Sequence, residues 1–364
     1  MRYWVFLSIL VCVSCSSDTR AVGSLEGDFQ EPPYCPDCEI ELVEVGVLGD
    51  AADDTSMRED AGSAPCVVGR MASGEFLMGA PVGGGEILVY GASGPSTRTI
   101  GRPGQGPGEF GTELRLVVGP GDTVYVLDEE NARIQVMSPS GDYVRSFALP
   151  ARVSTFALLT TGEVLIHPAP RPQSPDPLPL FYLFSPSGEE IRRFGVPGEN
   201  LSPLDQWAVS PTPEGGFWEA NIRRYEANLR RTDGTVSRTI NRSVDWFPPD
   251  AEVDPGFPAT GPLPTILYHF WHNEEGLLWV FLLRPDEDWQ PPSSAEITPQ
   301  STRQMFDMMI EVLDLENSRL VTSLRIDEWL GAVCGSNLMY TVFYTEEGDT
   351  RVRVFEPRLV GYGG

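Results

Sequence analysis

The sequence predicts an all-β protein, a six-bladed β-propeller of four-stranded antiparallel blades. A glycine and an arginine recur together at intervals of 46 or 47 residues, and short β-branched or aromatic runs alternate with glycine-containing turns along the chain. Propellers typically repeat a hairpin-linked unit of three or four short strands, with a period of about 40 to 50 residues. These two observations predict the fold class.

The repeat is clearest in four segments, which read GASGPSTRTIG, SPSGDYVRSF, SPSGEEIRRF and RTDGTVSRTI. The repeated glycines are Gly94, Gly141, Gly188 and Gly234. The repeated arginines are Arg98, Arg145, Arg192 and Arg238. The glycines and the arginines have the same spacing along the chain, so two independent positions indicate one repeat length.

Each unit opens with a glycine-bounded turn and a strand-forming run. Six such opening runs are predicted, at residues 75–78, 123–127, 164–166, 217–218, 277–283 and 338–344. A second strand follows in each unit, and a third strand ends at Ile100, Phe147, Phe194 or Ile240 in the first four units. Residues 301–313 are the best helix candidate, although 308–313 also fits a strand. Six opening runs predict six blades.

The ring requires closure, because an open propeller exposes a strand edge. The sixth unit ends after the run 352–355 and lacks one strand, whereas the run 40–47 belongs to no unit of its own. We therefore expect the N-terminal strand to complete the last blade. Residues 35–364 are then predicted to form a single propeller domain.

The N-terminus has the features of a bacterial export signal. Arg2 precedes an apolar run over residues 3–13, and Ser14 and Cys15 follow it. The run is too short to span a bilayer, which takes roughly 17 to 25 residues, and a cationic start with a short apolar run is typical of a cleaved signal.

Val13-Ser14-Cys15 resembles the end of a bacterial lipobox, except that Cys12 stands where leucine is usual. We predict residues 1–14 to be a lipoprotein signal peptide and Cys15 to carry the lipid. Residues 15–34 are rich in small and acidic residues and in proline, which predicts a flexible tether.

Four further cysteines are predicted to be exported, namely Cys35, Cys38, Cys66 and Cys334. An even number in an oxidising compartment favours disulfides, with three possible connectivities. Cys35 and Cys38 have thioredoxin-like spacing, but no βαβ pattern surrounds them. A zinc site would need a second close pair. Structural bridges are the main prediction, and redox or metal roles are the alternatives.

The chain has a formal net charge of −26, from 26 basic and 52 acidic residues. Its mean field repels polyanions, so no nucleic-acid partner is expected. The expected partners are the membrane, through the lipid, and a protein, peptide or glycan ligand. The predicted location is the cell envelope, on its periplasmic or cell-surface side.

The decapeptide GRPGQGPGEF at 101–110 is followed by the strand Val124–Asp128, then Asn131, Arg133 and an SPSG turn. This pattern resembles bacterial six-bladed propeller lipoproteins related to NHL-repeat proteins. The match is strongest over residues 66–197 and weaker over 198–245. After residue 245 it rests mostly on the pattern of strands. The resemblance implies the fold and a surface location, and little about activity.

The glycines of the decapeptide do not predict a phosphate-binding turn. Such a turn needs a following helix whose N-terminus holds the phosphate, and here another strand follows. We interpret the decapeptide as a loop between blades, in which glycines allow a tight crossing.

The sequence offers few residues for catalysis. Its three histidines are His167, His269 and His272. The last two lie three apart in a strand-like run, which puts their rings on opposite faces and argues against joint metal binding. The acidic turn 128–131 offers calcium-type oxygen ligands, but without the spacing of a known calcium loop it more closely fits a solvated hairpin turn. We interpret the histidines as packing or surface residues, and the alternative is that His269 or His272 lines the central channel, where propeller enzymes place catalytic or metal-binding residues.

Two functional hypotheses follow, and whether the protein is an enzyme stays open. The first is a noncatalytic binding scaffold that holds a ligand on one rim or on the long insertions at 248–264 and 286–304. The second is a propeller-type lyase, lactonase or hydrolase with calcium or another divalent ion in the central channel. No catalytic, cofactor-binding or metal-binding residue is assigned from the sequence. A purely structural role in the envelope is a third reading.

Overall fold

The computed structural model describes residues 24–25, 29, 33–49, 66–79, 85–169, 178–195, 206–248, 263–289, 305–346 and 350–363. These residues form six blades of four antiparallel strands each, arranged as a propeller, and two of the blades gain a short parallel strand at the outer edge. The predicted fold class is therefore confirmed. The described residues contain one short 3₁₀ turn, Pro120–Asp122, and no helix among them has the length and apolar character to cross a membrane.

Blades 1 to 3 each run in chain order from the inner strand to the rim. Blade 1 consists of Val68–Arg70, Phe76–Gly79, Ile87–Tyr90 and Ser96–Ile100. Blade 2 consists of Leu114–Val118, Val124–Asp128, Arg133–Met137 and Tyr143–Ala148. Blade 3 consists of Val153–Leu158, Val164–Pro168, Phe181–Phe184 and Glu190–Phe194.

Blades 4 and 5 follow the same order. Blade 4 consists of Trp207–Pro211, Phe217–Asn221, Glu226–Arg230 and Val236–Asn241. Blade 5 consists of Ile266–His272, Leu277–Pro285, Phe306–Asp314 and Arg319–Ile326. The region that offered a helix or a strand therefore forms a strand from Phe306.

Blade 6 consists of Gly331–Ala332, Met339–Tyr344, Thr350–Val360 and, as its outer strand, Glu39–Leu48. Glu39–Leu48 pairs antiparallel with Thr350–Val360, and its other edge pairs with the short strand Ser93–Gly94. The N-terminal strand thus completes the last blade, as predicted. Two further short strands, Arg102–Pro103 and Glu109–Phe110, pair within the loop after blade 1.

The repeated glycines lie in the turns between third and outer strands, and the repeated arginines lie in the outer strands that follow. The glycines have positive φ between 89° and 92°, a conformation that favours glycine. Three of the arginines donate to backbone carbonyls in the matching turn of the next blade: Arg98 to Pro139, Arg192 to Asp233, and Arg238 to Leu315. The repeat therefore encodes a recurrent contact between neighbouring blades.

Apolar side chains fill the spaces between blades. Between blades 4 and 5, Trp218 and Phe270 are fully buried in one cluster, and Trp279 is buried on the other face of blade 5. Trp207, Trp246, Trp271, Trp289 and Trp329 are partly buried against these or neighbouring clusters. The tryptophans of the second half thus pack in or beside the core.

The N-terminal strap, which we define as residues 24–25, 29 and 33–38, lies along the outer edges of blades 4 and 5. Ser24–Leu25 pairs parallel with Thr239 and Ile240 of blade 4. Phe29 is buried in the cluster between the two blades. The Tyr34 N–H donates to the Leu320 carbonyl of blade 5 at 3.0 Å. Part of the predicted tether therefore contacts the propeller. Residues 15–23, 26–28 and 30–32 lie outside the described residues, and for them the tether stays a prediction.

The decapeptide loop joins the outer strand of blade 1 to the inner strand of blade 2, in agreement with the loop interpretation. Arg133 donates to the carbonyls of Gln105, Gly106 and Glu109. Asp128 is fully buried and accepts hydrogen bonds from the Gly111 N–H and from Arg133. The residues that carry the family resemblance therefore hold this loop in place.

Candidate functional site

A cleft of about 960 Å³ lies between blades 4 and 5. It opens on the face that carries the turns between inner and second strands and between third and outer strands. Four such turns form its walls, and the C-terminal Tyr362 lies at its end. We call it the 4–5 cleft. Its lining includes Thr212, Glu214, Arg231, Thr232, Arg238, His272, Glu275, Asp314, Glu316 and Tyr362.

Hydrogen bonds within the turns fix the walls of the cleft. In blade 4, the Gly216 N–H donates to the Thr212 hydroxyl at 3.1 Å. In blade 5, the Asn273 side chain accepts from the Leu277 N–H at 2.9 Å. The turn residues are therefore presented on a fixed backbone, and the cleft is a feature of the scaffold.

Asp314 organises the blade 5 wall. Its carboxylate accepts from the Glu316 N–H at 3.0 Å and from both N–H groups of Asn317, and the Tyr362 hydroxyl donates to it at 3.3 Å. Burial opposes ionisation of Asp314, but these hydrogen bonds outweigh it and lower its pKa. Asp314 is thus held as a carboxylate by the protein itself.

Exposed charges surround the mouth of the cleft. Glu214, Glu275, Glu316 and Arg231 are all exposed. Arg238 bridges the two blades through its hydrogen bond to the Leu315 carbonyl, and burial lowers its pKa. Acidic groups therefore outnumber basic groups at the mouth.

His272 lies on the floor of the cleft. Its side chain is 7% exposed, its ring meets the edge of Trp218 with centroids 6.3 Å apart, and its Nδ1 has no hydrogen-bond partner. Nδ1 lies 4.0 Å from Oε2 of Glu214, whose side chain is 72% exposed. Burial lowers the pKa of His272, and Arg238 adds to this while Glu214 opposes it. The ring is therefore neutral at pH 7.

A buried ion pair joins the same two blades at greater depth. Arg242, after the outer strand of blade 4, donates to both oxygens of Glu311 at 2.8 and 2.9 Å, and both side chains are at most 1% exposed. The Tyr225 hydroxyl also donates to Glu311. Such bidentate geometry is specific, so this group of three fixes the relative position of blades 4 and 5.

The central channel is crossed at one end by the turn that follows the inner strand of blade 6. Cys334 in this turn is disulfide-bonded to Cys66 of blade 1. A Cβ on Gly335 would lie 3.4 Å from Val117 of blade 2, and the Ser336 carbonyl lies 3.4 Å from Nε2 of His269 in blade 5. Blades 2 and 5 stand on opposite sides of a six-bladed ring, so the turn lies across the channel.

The three histidines do not form a common site. His269 packs on Phe281 and faces the blade 6 turn, whereas His272 faces blade 4, so their rings lie on opposite faces. His167 is buried in blade 3, where its Nδ1 lies 2.8 Å from the Leu180 carbonyl. Burial lowers the pKa of His167 and of His269 to about 4.

Among the described residues, one group of three potential metal ligands exists: Asp286, Asp307 and Asp327 of blade 5. They lie at the ends of the second, third and outer strands, away from the inner strands on which a channel metal would depend. Arg325 donates to Asp307 at 2.6 Å and to Glu287 at 2.9 Å. This guanidinium supplies the positive charge of the cluster.

The cysteines that the sequence singled out form two disulfides, Cys35–Cys38 and Cys66–Cys334. The structure thus selects one of three connectivities. Cys15 and most of the insertions 248–264 and 286–304 lie outside the described residues.

The acidic turn 128–131 differs from the solvated turn that the sequence predicted. Asp128 is fully buried in the decapeptide network, Glu129 pairs with Arg115, and Glu130 accepts from the Thr112 N–H at 2.9 Å. The reason for the difference is tertiary, since the partners come from the preceding loop and strand.

Sequence reasoning missed the 4–5 cleft. Arg238 was identified as a repeat residue, yet no local signal connects Glu214 with His272, because they belong to different blades. The repeat is evenly spaced along the sequence, so it does not indicate that a cleft opens between blades 4 and 5.

The fold defines the class of this protein as a six-bladed β-propeller. The sequence matches no family model and no curated protein. Among solved structures, the chain is similar to a member of the DUF4221 family from Bacteroides vulgatus ATCC 8482, with a TM-score of 0.59 and 10% identity over 88% of this chain and 99% of that chain.

It is also similar to a candidate exported protein of Bacteroides fragilis NCTC 9343, with a TM-score of 0.53 and 10% identity over 90% and 98% of the two chains. Streptogramin B lyase aligns with a TM-score of 0.44 at 10% identity over 88% and 98%, which carries no functional argument. These similarities show the fold alone.

Proposed function

We propose that this protein is a noncatalytic binding propeller of the bacterial cell envelope, anchored by a lipid on Cys15, and that its ligand occupies the 4–5 cleft. The observation that carries the proposal is the cleft itself: about 960 Å³ of space between two blades, lined by both polar and apolar atoms. A volume in this range is typical of ligand sites.

The scaffold around the cleft supports a binding role. The buried pair of Arg242 and Glu311 holds the two blades together, and the ring is closed by both an N-terminal strand and a disulfide. A preformed site loses little conformational freedom on binding. Rigid walls therefore favour recognition of a ligand without rearrangement of the fold.

An extracytoplasmic location is supported by the two disulfides, since such bonds persist in oxidising compartments. The lipid on Cys15 and the relation to propeller lipoproteins rest on sequence resemblance and are part of the proposal. The envelope location and the existence of a ligand are also part of the proposal.

The described residues favour binding over catalysis by a channel metal. The blade 6 turn crosses the channel, and the one group of three carboxylates lies outside the inner strands, with Arg325 bound to it. Metal analysis of the mature chain, purified in detergent, tests the alternative. A stoichiometric divalent ion that survives dialysis would favour the enzyme hypothesis.

The binding proposal is tested by narrowing the cleft. Thr232 lines it, and Thr232→Trp places a large side chain there. Pro186→Trp alters the matching position of the blade 3 turn and serves as the control. The labelled mature chain and both variants are applied to arrays of peptides and of glycans.

We expect at least one class of compound to bind the native chain and the Pro186→Trp variant, with loss of binding in Thr232→Trp. Binding that survives Thr232→Trp, or no binding by a chain whose circular dichroism shows it to be folded, would overturn the proposal.

A further inference from the structure

We propose that the outer strands of blades 2 and 3 form a membrane-contact surface, which rests on the head groups of an anionic bilayer. Val144 and Ile191 are its apolar residues, and the arginines that follow them are its cationic residues. This inference goes beyond the cleft, because it assigns a second surface and a second partner. The lipid proposed on Cys15 supports the choice of partner, but the test does not require it.

Val144 and Ile191 occupy the same position of the repeat, one residue before the repeated arginine. They have the highest exposed fractions, 50% and 53%, among the exposed large apolar side chains of the described residues. In blades 1 and 4 the same position is Thr97 or Ser237, whose hydroxyls each donate to a carbonyl of the third strand at 3.1 Å. The fold therefore accepts a polar residue at this position, and only blades 2 and 3 of the four present an apolar side chain to the outside.

The outer strands of neighbouring blades follow one another along a continuous rim. A Cβ on Gly188, in the turn before the outer strand of blade 3, would lie 2.5 Å from the ring of Phe147 in the outer strand of blade 2. A Cβ on Gly234 of blade 4 would lie 3.1 Å from Phe194 of blade 3. Tyr143, which is 39% exposed, adds an aromatic ring to the rim at blade 2. Such amphipathic rings are common at the level of lipid head groups.

Arginines accompany the apolar residues of this rim. Arg145 follows the apolar residue of blade 2, and Arg192 and Arg193 follow that of blade 3. The side chain of Arg193 is 59% exposed and pairs with Glu190 of the same strand. The planar fork of arginine N–H donors suits phosphate groups, and apolar residues beside basic residues are typical of interfacial membrane contacts. The chemistry of the rim therefore fits a phospholipid surface.

The distribution of charge also favours this part of the rim. Residues 143–242, from the outer strand of blade 2 to the end of blade 4, contain eleven basic and ten acidic residues, a net charge of +1. The other residues contain fifteen basic and 42 acidic residues, a net charge of −27. An anionic bilayer repels acidic groups that come within a Debye length of it, about 8 to 10 Å. The rim of blades 2 to 4 therefore approaches such a bilayer with the least repulsion.

The path of the N-terminal strap supports a bilayer as the partner. Ser24–Leu25 pairs with Thr239 and Ile240 in the outer strand of blade 4, the neighbour of blade 3. Cys15 precedes Ser24 by nine residues, and a chain of that length extends at most about 32 Å. A lipid on Cys15 would therefore hold this side of the propeller close to the bilayer.

The experiment measures sedimentation of the mature chain with vesicles, and the chain carries Cys15→Ser so that no acyl chain contributes. Vesicles of phosphatidylcholine are compared with vesicles that also contain phosphatidylglycerol. The test variant combines Val144→Thr with Ile191→Thr, which keeps β-branched side chains and places at both positions the residue type of Thr97. The control is Val360→Thr, at an apolar side chain of blade 6 that is 44% exposed.

A second variant, Arg192→Gln with Arg193→Gln, tests the cationic residues. Its control is Arg358→Gln, at a side chain of blade 6 that is 56% exposed. We expect the native chain to sediment with the anionic vesicles and less with the neutral ones. Each double variant should weaken association with the anionic vesicles by about 5- to 30-fold, through lost apolar burial or lost charge. Each control should change it less than about twofold.

Failure of the native chain to sediment with the anionic vesicles would overturn the membrane-contact surface. Equal losses in the test and control variants, with circular dichroism showing all of them folded, would also overturn it. If sedimentation velocity without vesicles shows a dimer that Val144→Thr with Ile191→Thr abolishes, the occupant is a second copy of this chain and the bilayer assignment is wrong.

The two proposals fail separately. Thr232→Trp alters the cleft and should sediment with vesicles as the native chain does. Loss of the membrane contact with retained binding of a peptide or glycan in the cleft would leave the proposed function standing. Vesicle binding by a chain that binds no peptide or glycan would leave only the membrane-contact surface.

Discussion

Cys66, just before the inner strand of blade 1, is disulfide-bonded to Cys334, just after the inner strand of blade 6. This bond spans 268 residues, whereas Cys35–Cys38 spans three. A disulfide restricts the unfolded chain more when it closes a longer loop. The two bonds should therefore differ in their contribution to stability.

Replacing both Cys66 and Cys334 with alanine is expected to lower the free energy of unfolding by about 5 kcal/mol, and replacing Cys35 and Cys38 by about 2 kcal/mol. Urea unfolding under oxidising conditions measures both losses. Similar losses for the two double variants would contradict an effect on the unfolded chain.

Glu311→Ala should be strongly destabilising, because it leaves the Arg242 guanidinium buried without its carboxylate. Breaking one side of a buried pair costs about 3 to 5 kcal/mol. Replacing both residues, as Arg242→Met with Glu311→Leu, should restore part of this free energy, because the charge is removed although the buried Tyr225 hydroxyl still loses its acceptor. The exposed pair of Arg193 and Glu190 is the control, and Glu190→Ala should have little effect. A double variant as unstable as Glu311→Ala would argue against this account.

Acid should destabilise the protein partly through His167 and His269. Burial lowers both pKa values from 6.5 to about 4, so the unfolded chain binds protons at a higher pH than the folded chain. Their contribution is present above pH 6.5 and is lost as the pH falls to about 4, at about 3 kcal/mol for each histidine.

The histidine contribution is measured by comparing urea unfolding of the native chain and of His167→Gln at several pH values. The native chain should lose more stability than the variant between pH 6.5 and 4. Parallel curves would show that His167 does not contribute, since acidic groups affect both proteins alike.

The predicted lipid gives the last test. Cys15→Ser should move the protein from the detergent phase to the aqueous phase and remove the mass of the acyl chains, because a lipid anchor partitions through its buried methylene groups. Phase separation and mass spectrometry report the two changes. Unchanged partitioning and mass would exclude lipidation at Cys15.

Most of the fold was predictable because its signals are local. Gly141 and Gly188 require positive φ in their turns, and the runs between such turns have the composition of strands. The repeat located the second, third and outer strands. It did not mark the inner strands, such as Trp207–Pro211, whose residues lie outside the repeated motif.

The candidate site was less predictable because it depends on contacts between blades. His272 was visible as one of three histidines, but its neighbour Glu214 lies in the turn of another blade. Arg242 and Glu311 are 69 residues apart, and nothing in either local sequence indicates the other.

The sequence by itself determined the six-bladed repeat, the strand that closes the ring and the four cysteines available for disulfides. Turn glycines and alternating apolar runs act over a few residues, so their pattern is readable along the chain. Only the tertiary structure decided which cysteines pair, that a turn of blade 6 crosses the channel, and that a cleft opens between blades 4 and 5. Those features depend on the spacing of packed blades, which is set by side chains such as Trp218 and Phe270 that meet only in the folded protein.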